Sequence, residues 1–331
     1  MDFDFSQIIG KKILIIGGCG FLGSNLARRL IEIGTDVVIF KRIEDDEINI
    51  LDIKENLKII EGGLTNTSDI IEAVKDKDYI FHFAWQTDLK QSMLNPMKDL
   101  FSDCAGIINI LEVCKNHNKN VKIIFPSTPT VTGMSEKIPS DESEFPNPRS
   151  VYDIHKLFAE YYLKMYYEQY QIKSTILRLS NVFGEYQRID NPGRGVLNFM
   201  IGRALREEPL TVHGKGDFIR DYCYMQNYLD AFILSALSEK TNGEVYLLGT
   251  GEGRTFNEVV EKIKKITEPL INKPVVITHI PFPEAEHKIN KRDSIVDYSK
   301  FRQATGWYPK ISFDEGLRKT IEFYIKNNPK G

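Results

Sequence analysis

The hydrophobic pattern is clearest between Lys11 and Phe40. Ile13, Leu14, Ile15 and Ile16 form an unbroken apolar run, as a strand buried on both faces requires. The run stops at Gly17-Gly18, and Leu22, Leu26, Ala27, Leu30 and Ile31 then recur at helical spacing. A second apolar run, Val37 to Phe40, completes a strand–helix–strand unit. The alternation continues past a turn at Gly62-Gly63. It predicts a helix over Thr67 to Val74 with Thr67 or Ser68 as N-cap, and a strand over Tyr79 to Ala84. A long helix follows from near Met97 to His117, then a strand over Val121 to Phe125 and a helix from Val151 to about Tyr170. Strands that alternate with helices in this way build an α/β doubly wound parallel sheet, whose ligands bind beyond the carboxyl ends of the strands.

Two stretches fall at those ends. In the first, Gly17 allows the tight turn off the strand, Gly20 lets backbone amides approach a pyrophosphate, and Gly23 lets the helix pack close to the sheet. Phe21 and Leu22 open the helix whose N-terminus receives the phosphates. A dinucleotide binds here. At the end of the second strand, where an acidic residue would bond a ribose 2′-hydroxyl, Lys41 and Arg42 stand instead. Cations suit a 2′-phosphate, so the reading is NAD(P) with NADP favoured over NAD. Glu44 is the loop residue that would serve NAD.

The second stretch is Ser127-Thr128, read together with Tyr152 and Lys156. These two lie at i and i+4, on one helix face. A free phenol, with a pKa of about 10, is a poor base at neutral pH. A nearby ammonium and an oxidised nicotinamide would both lower that value. The hydroxyl of Thr128 or Ser127 would then hold a substrate oxygen while Tyr152 moves its proton. His82, His155 and the tyrosines at 161, 162, 166, 167 and 170 are read as structural or subunit contacts.

Composition narrows the classes. The chain has 331 residues, 42% hydrophobic and 27% charged, with net charge −3. No basic excess argues for nucleic acid. No apolar run reaches membrane-spanning length, and Met1 to Gly10 lacks the basic and apolar regions of a leader, so a cytoplasmic protein is expected. The four cysteines are scattered without metal spacing, so no metal is expected.

The set G-G-C-G-F-L-G, H-F-A, the Ser-Thr strand end, Tyr-x-x-x-Lys and Arg220-Asp221-Tyr222 resembles the extended short-chain dehydrogenase/reductase family. It is similar in particular to the nucleotide-sugar epimerase/dehydratase branch typified by UDP-galactose 4-epimerase, from about Lys11 to Tyr324. The resemblance implies a Rossmann domain over 1–182, with 224–251 returning to it. A smaller substrate-binding lobe would comprise 183–223 and 252–331. It also implies a homodimer through the helices near 97–117 and 151–170, and a nucleotide-diphosphate sugar as substrate. On matching positions, Tyr152 is the acid/base, Lys156 holds the nicotinamide ribose, and Thr128, with neighbour Ser127, is the catalytic hydroxyl. Leu64 and Ala84 fall in the cofactor pocket. Asn181, Asn198 and Arg220 are expected on the sugar nucleotide. Trp85 and Thr87 are expected at the sugar, although Trp85 is equally read as core filler.

Departures from the family pattern narrow the chemistry. Gly63-Leu64 replaces an Asp-hydrophobic pair beside the adenine, and Asp103 stands where asparagine is usual. Dehydratases place Asp-Glu directly after the catalytic threonine, and decarboxylases place glutamate two positions after it. Here those positions are Pro129 and Thr130, which disfavours both reactions. What remains is hydride transfer at a sugar hydroxyl carbon, C4 in the family. Epimerisation ranks first, net oxidation or reduction second, and a non-catalytic dinucleotide sensor last.

Overall fold

The strand β1 (Lys12–Ile16) sits at the centre of a parallel sheet, hydrogen-bonded on both edges. That is why its four apolar residues are consecutive: Ile13 and Ile15 face one core, Leu14 and Ile16 the other, all at most 1% exposed. Each such side chain contributes roughly 1.5–3 kcal/mol on burial. The computed structural model describes residues 3–135, 137–282 and 292–327.

From β1 the chain runs through α1 (Phe21–Ile33), β2 (Asp36–Lys41), β3 (Lys58–Glu61), α2 (Thr67–Val74) and β4 (Tyr79–His82). There follow α3 (Leu89–Leu94), α4 (Pro96–Asp99), α5 (Ala105–His117), β5 (Lys122–Ser127), α6 (Val151–Tyr170) and β6 (Lys173–Leu179). Next come β7 (Asn181–Phe183), α7 (Val196–Leu205), β8 (Leu210–His213), β9 (Ile219–Tyr224), α8 (Met225–Leu237) and β10 (Glu244–Leu248). The described chain ends with β11 (Gly253–Thr255), α9 (Phe256–Ile271), β12 (Ile277–Ile280), α10 (Ser299–Thr305) and α11 (Phe313–Asn327). The main sheet has seven strands in the order β10-β6-β5-β4-β1-β2-β3. Two small sheets, β11-β9-β7 and β12-β8, stand beyond its carboxyl edge with α7 and α9.

Three expected boundaries move. The helix expected from Met97 is segmented: α3 begins at Leu89, a new turn starts at Pro96, and a π-helical turn over Leu100–Cys104 precedes α5. Pro96 has no N–H to donate and drives Asn95 out of the helical region, so the helix restarts there. The N-cap of α2 is Asn66, whose side chain accepts the Ser68 N–H, rather than Thr67 or Ser68. The strand β4 stops at His82 because the N–H groups of Phe83 and Ala84 both turn to Ile16 O.

Among the described residues no helix is long and apolar enough to cross a membrane. None of their His, Cys, Asp and Glu side chains gather into a group of three or more that could hold a metal. All four cysteines are buried free thiols.

Candidate active site

The glycine turn is as tight as its sequence demands. At Gly17, with φ +83°, a Cβ would stand 2.6 Å from Ala84 N, and at Gly23 one would stand 2.5 Å from Gly17 O. Ala84 is therefore packed directly against the turn. At Gly20 the nearest protein atom to a Cβ would be 3.3 Å away, so the protein crowds this glycine less than the other two. The first N–H groups of α1, at Phe21, Leu22 and Gly23, have no intrahelical acceptor. A diphosphate fits this cradle. Leu64 packs against Gly106, and its carbonyl accepts the Asn109 amide at 2.8 Å.

Lys41 is placed otherwise than its sequence suggests. Its side chain is 2% exposed, with Nζ 3.0 Å from Glu61 and 3.3 Å from Glu47. It is an internally neutralised cation and no phosphate ligand. Arg42 is 58% exposed and pairs with Asp45 at 2.6 Å and Glu44 at 3.3 Å, contacts weak enough to exchange.

At the reacting end, Lys156 is buried and donates to Pro126 O at 2.7 Å. Its Nζ lies 4.2 Å from the Trp85 ring centre, 4.4 Å from Phe125 and 5.9 Å from Tyr152. Burial pushes its pKa down to about 7. The expected lowering of the Tyr152 pKa is reversed in the chain itself. Burial, then the Asp153 and Asp103 carboxylates, raise the phenol, while Lys156 is directed at a carbonyl and two aromatic faces. Trp85 packs beneath Lys156, against Phe125 and His82. His155 is buried, and its pKa is lowered mainly by that burial.

Ser127 does not join this group. Its hydroxyl donates to Glu160, which binds Arg178 through two bonds of 3.0 and 2.6 Å. Thr128 is tied to α6, the helix that carries Tyr152 and Lys156, through partners that the sequence alone did not mark. Its Oγ accepts the Thr130 N–H at 3.2 Å and touches the Thr130 hydroxyl at 2.9 Å. Thr130 in turn donates to the buried carboxylate of Asp153. Positions 129 and 130 carry no carboxylate, but the helix supplies one to the same place.

The substrate-side residues divide. Arg220 is 9% exposed, and half-buried Arg292 stands close enough that burial and the Arg220 charge lower its pKa to about 10. Two such guanidiniums together suit a diphosphate. Arg292 was missed because its segment contains no recognisable motif; a second arginine beside Arg220 is visible only in space. Asn198 is fully buried and clamps Gly184, accepting its N–H at 3.3 Å and donating to its carbonyl at 2.7 Å. It is a backbone clip, with neither end of its amide left for a phosphate. Asn181 is exposed and donates to Asp221 O at 3.2 Å, and Thr87 accepts from Arg194 at 2.6 Å.

The family model described as GDP-mannose 4,6 dehydratase matches residues 14–320. A putative UDP-glucose 4-epimerase of Methanocaldococcus jannaschii is 31% identical, over 96% of this chain and 99% of its own. The structure of a Thermotoga maritima UDP-glucose 4-epimerase with UDP-glucose superposes with TM-score 0.85 and 31% identity, covering 96% and 99% of the two chains. That of a Thermus thermophilus UDP-glucose 4-epimerase with NAD gives TM-score 0.81 and 26% identity, covering 95% and 99%. The chain belongs to the extended short-chain dehydrogenase/reductase family, in its nucleotide-sugar epimerase and dehydratase branch.

Proposed function

We propose that the protein is an NAD(P)-dependent nucleotide-sugar epimerase that works by hydride transfer at a sugar hydroxyl carbon, C4. The observation that supports this reading best is Lys156 Nζ 5.9 Å from the Tyr152 ring centre and 4.2 Å from that of Trp85, whose chain neighbour Ala84 packs against the glycine turn. The cofactor would supply reversible hydride acceptance. The chain supplies the rest. Gly17, Gly20, Phe21, Leu22 and Gly23 hold the cofactor diphosphate, Leu64 and Ala84 flank it, and Lys156 holds the nicotinamide ribose. Arg220 and Arg292 hold the sugar nucleotide's diphosphate, with Asn181 and Thr87 at the mouth and Trp85 under the sugar. Thr128 and Tyr152 meet the reacting oxygen, and an oxidised nicotinamide would add the positive charge that favours phenolate.

A preference for NADP now rests on Arg42 alone. Arg42→Ala is expected to weaken NADP binding about tenfold and leave NAD binding unchanged, as measured by titration calorimetry. We assign residues 1–182 and 224–251 to the cofactor domain, and 183–223 with 252–331 to the substrate lobe. Met93 and Leu94 of α3 and Phe101 of the π-helical turn are exposed on elements packed against α6, which itself exposes Ile154 and Tyr161. Such an apolar face supports a homodimer. The four free thiols suit the cytoplasm.

The test is to purify the protein without added cofactor, denature it and identify the released nucleotide by mass spectrometry. Retained oxidised cofactor supports a hydride recycled within the site. An empty site that binds reduced cofactor freely would sink the epimerase and favour a 4-keto reductase or dehydrogenase. Tyr152→Phe separates both from a sensor, whose biological role would survive the change.

A further inference from the structure

Lys156 is buried, and among the described residues the two carboxylates that act on its charge are both bonded elsewhere. Asp103, on the π-helical turn, accepts the Gln86 N–H at 2.9 Å and the Ser102 hydroxyl at 2.9 Å. Glu160, on the same helix as the lysine, accepts from Arg178 and Ser127. From β4, His82 is kept neutral by its burial and adds no charge. An ammonium has three N–H groups, and Lys156 spends one on Pro126 O at 2.7 Å. Against the rest of it lie two aromatic rings, Trp85 at 4.2 Å and Phe125 at 4.4 Å, with the Tyr152 ring at 5.9 Å. The two nearer rings form an edge-to-face pair with centres 5.3 Å apart. Burial draws the lysine pKa down to about 7, so at neutral pH a modest contact decides its charge.

We propose that Trp85, together with Phe125, is a positioning residue for the hydride transfer, and that its ring holds the Lys156 ammonium in the charged form in place of a counter-ion. The inference rests on the function proposed above. A ring face attracts a cation through its quadrupole, and the attraction is strongest where water is excluded. The ring carries no net charge. A carboxylate at the same distance would cancel the lysine's field at the Tyr152 phenol, whereas a ring holds the cation and leaves that field intact. The field matters because burial raises the phenol, and the ammonium 5.9 Å from its ring is the nearby charge that opposes the rise. Two of the ammonium N–H groups stay available for the nicotinamide ribose. Trp85 acts here through Lys156, a role separate from its contact with the sugar.

The test uses the full chain. Trp85→Leu removes the ring and keeps an apolar side chain, so Lys156 should lose its proton about one pH unit lower. With cofactor and a reactive nucleotide sugar, wild type and variant should move hydride at similar rates at pH 5, where the lysine is charged in both. The variant should fall behind by about fivefold at pH 7 and about tenfold at pH 8, the ratio of the two charged fractions. Phe125→Leu should show the same trend with pH, and Trp85→Phe, which keeps a ring face, should recover most of the rate. A loss that is constant with pH and confined to KM would mean that Trp85 only supports the sugar, and would overturn the proposal. The chain without cofactor gives a second readout. Of its two tryptophans, Trp307 is fully buried and donates to Asn227 O at 2.9 Å. A near-ultraviolet absorbance step with its midpoint near pH 7 therefore reports Trp85, and Lys156→Met should abolish it. No step in the wild type, or a step that survives in Lys156→Met, would also overturn the proposal. If the step is present but the wild type moves no hydride with any nucleotide sugar, the functional reading falls, and the positioning role with it.

Discussion

One turn apart on α6, Glu160 and Lys156 anchor two buried polar groups of opposite character. Glu160 accepts from Arg178 twice and from Ser127 once, and both charged side chains are at most 6% exposed. Lys156 has one carbonyl partner and otherwise faces aromatic rings. Around it, both ring nitrogens of His82 and Nε1 of Trp85 have no hydrogen-bond partner among the described residues. The first group is closed: every strong donor and acceptor finds its complement in the chain, as a structural network must. The second is open and costs free energy in the chain alone. The contrast is therefore one of polar satisfaction within the chain, and variants on either side of it should change stability differently.

The largest effect should come from breaking the closed group. Glu160→Gln leaves the Arg178 guanidinium buried without its counter-charge, and is expected to lower unfolding free energy by about 3–5 kcal/mol. Denaturant titration measures this, and the folded fraction should still bind cofactor. The double change Glu160→Met with Arg178→Met should recover most of the loss, because a buried ion pair is worth little against apolar packing. No recovery would mean that the pair positions β6 rather than merely balancing charge.

Lys156→Met acts in the opposite direction. The lysine pKa falls from its ordinary 10.5 to about 7 on folding. Between those values the unfolded chain binds more protons, so this residue makes wild-type stability rise with pH across that window. Methionine removes the slope and leaves Pro126 O without its donor. The expected net gain at pH 7 is about 1–3 kcal/mol, with hydride transfer lost. A Lys156→Met protein less stable than wild type at pH 7 would show that Lys156 belongs with the closed group.

The sequence made these two groups unequally legible. The turn conformation of Gly17, at φ +83°, and the crowding of Gly23 by Gly17 O are local and follow from the sequence, whereas the contact of Gly17 with Ala84 comes from a distant strand end. Lys41 is decided by Glu47 and Glu61, which arrive from a loop and from β3. Spacing gives no warning of either. Asn198 is set by the distant carbonyl and N–H of Gly184, and Arg292 reaches Arg220 only through the fold. Positions 129 and 130 of the strand end carry no carboxylate, while the fold brings that of Asp153 to Thr130 from a helix. Pro96 was the one boundary that local rules already contained.

The smallest effect at neutral pH should come from His82, and its pH dependence makes it decisive. Its ring lies 5.8 Å from Phe125 and 6.2 Å from Trp85, fully enclosed. Burial, and then the Lys156 charge, push its pKa from 6.5 down to about 3. Below pH 6.5 the unfolded chain therefore binds a proton that the folded chain refuses, and wild-type stability falls as the solution is acidified towards pH 3. His82→Phe keeps the stacked ring and removes both unpartnered nitrogens, so a gain of about 1 kcal/mol is expected at pH 7. By pH 5 the gap should widen by about 2 kcal/mol, following the missing proton. Thermal unfolding from pH 8 to pH 4.5 checks this. A gap that stays constant with pH would mean that His82 finds a partner in the folded chain, which would move it from the open group to the closed one.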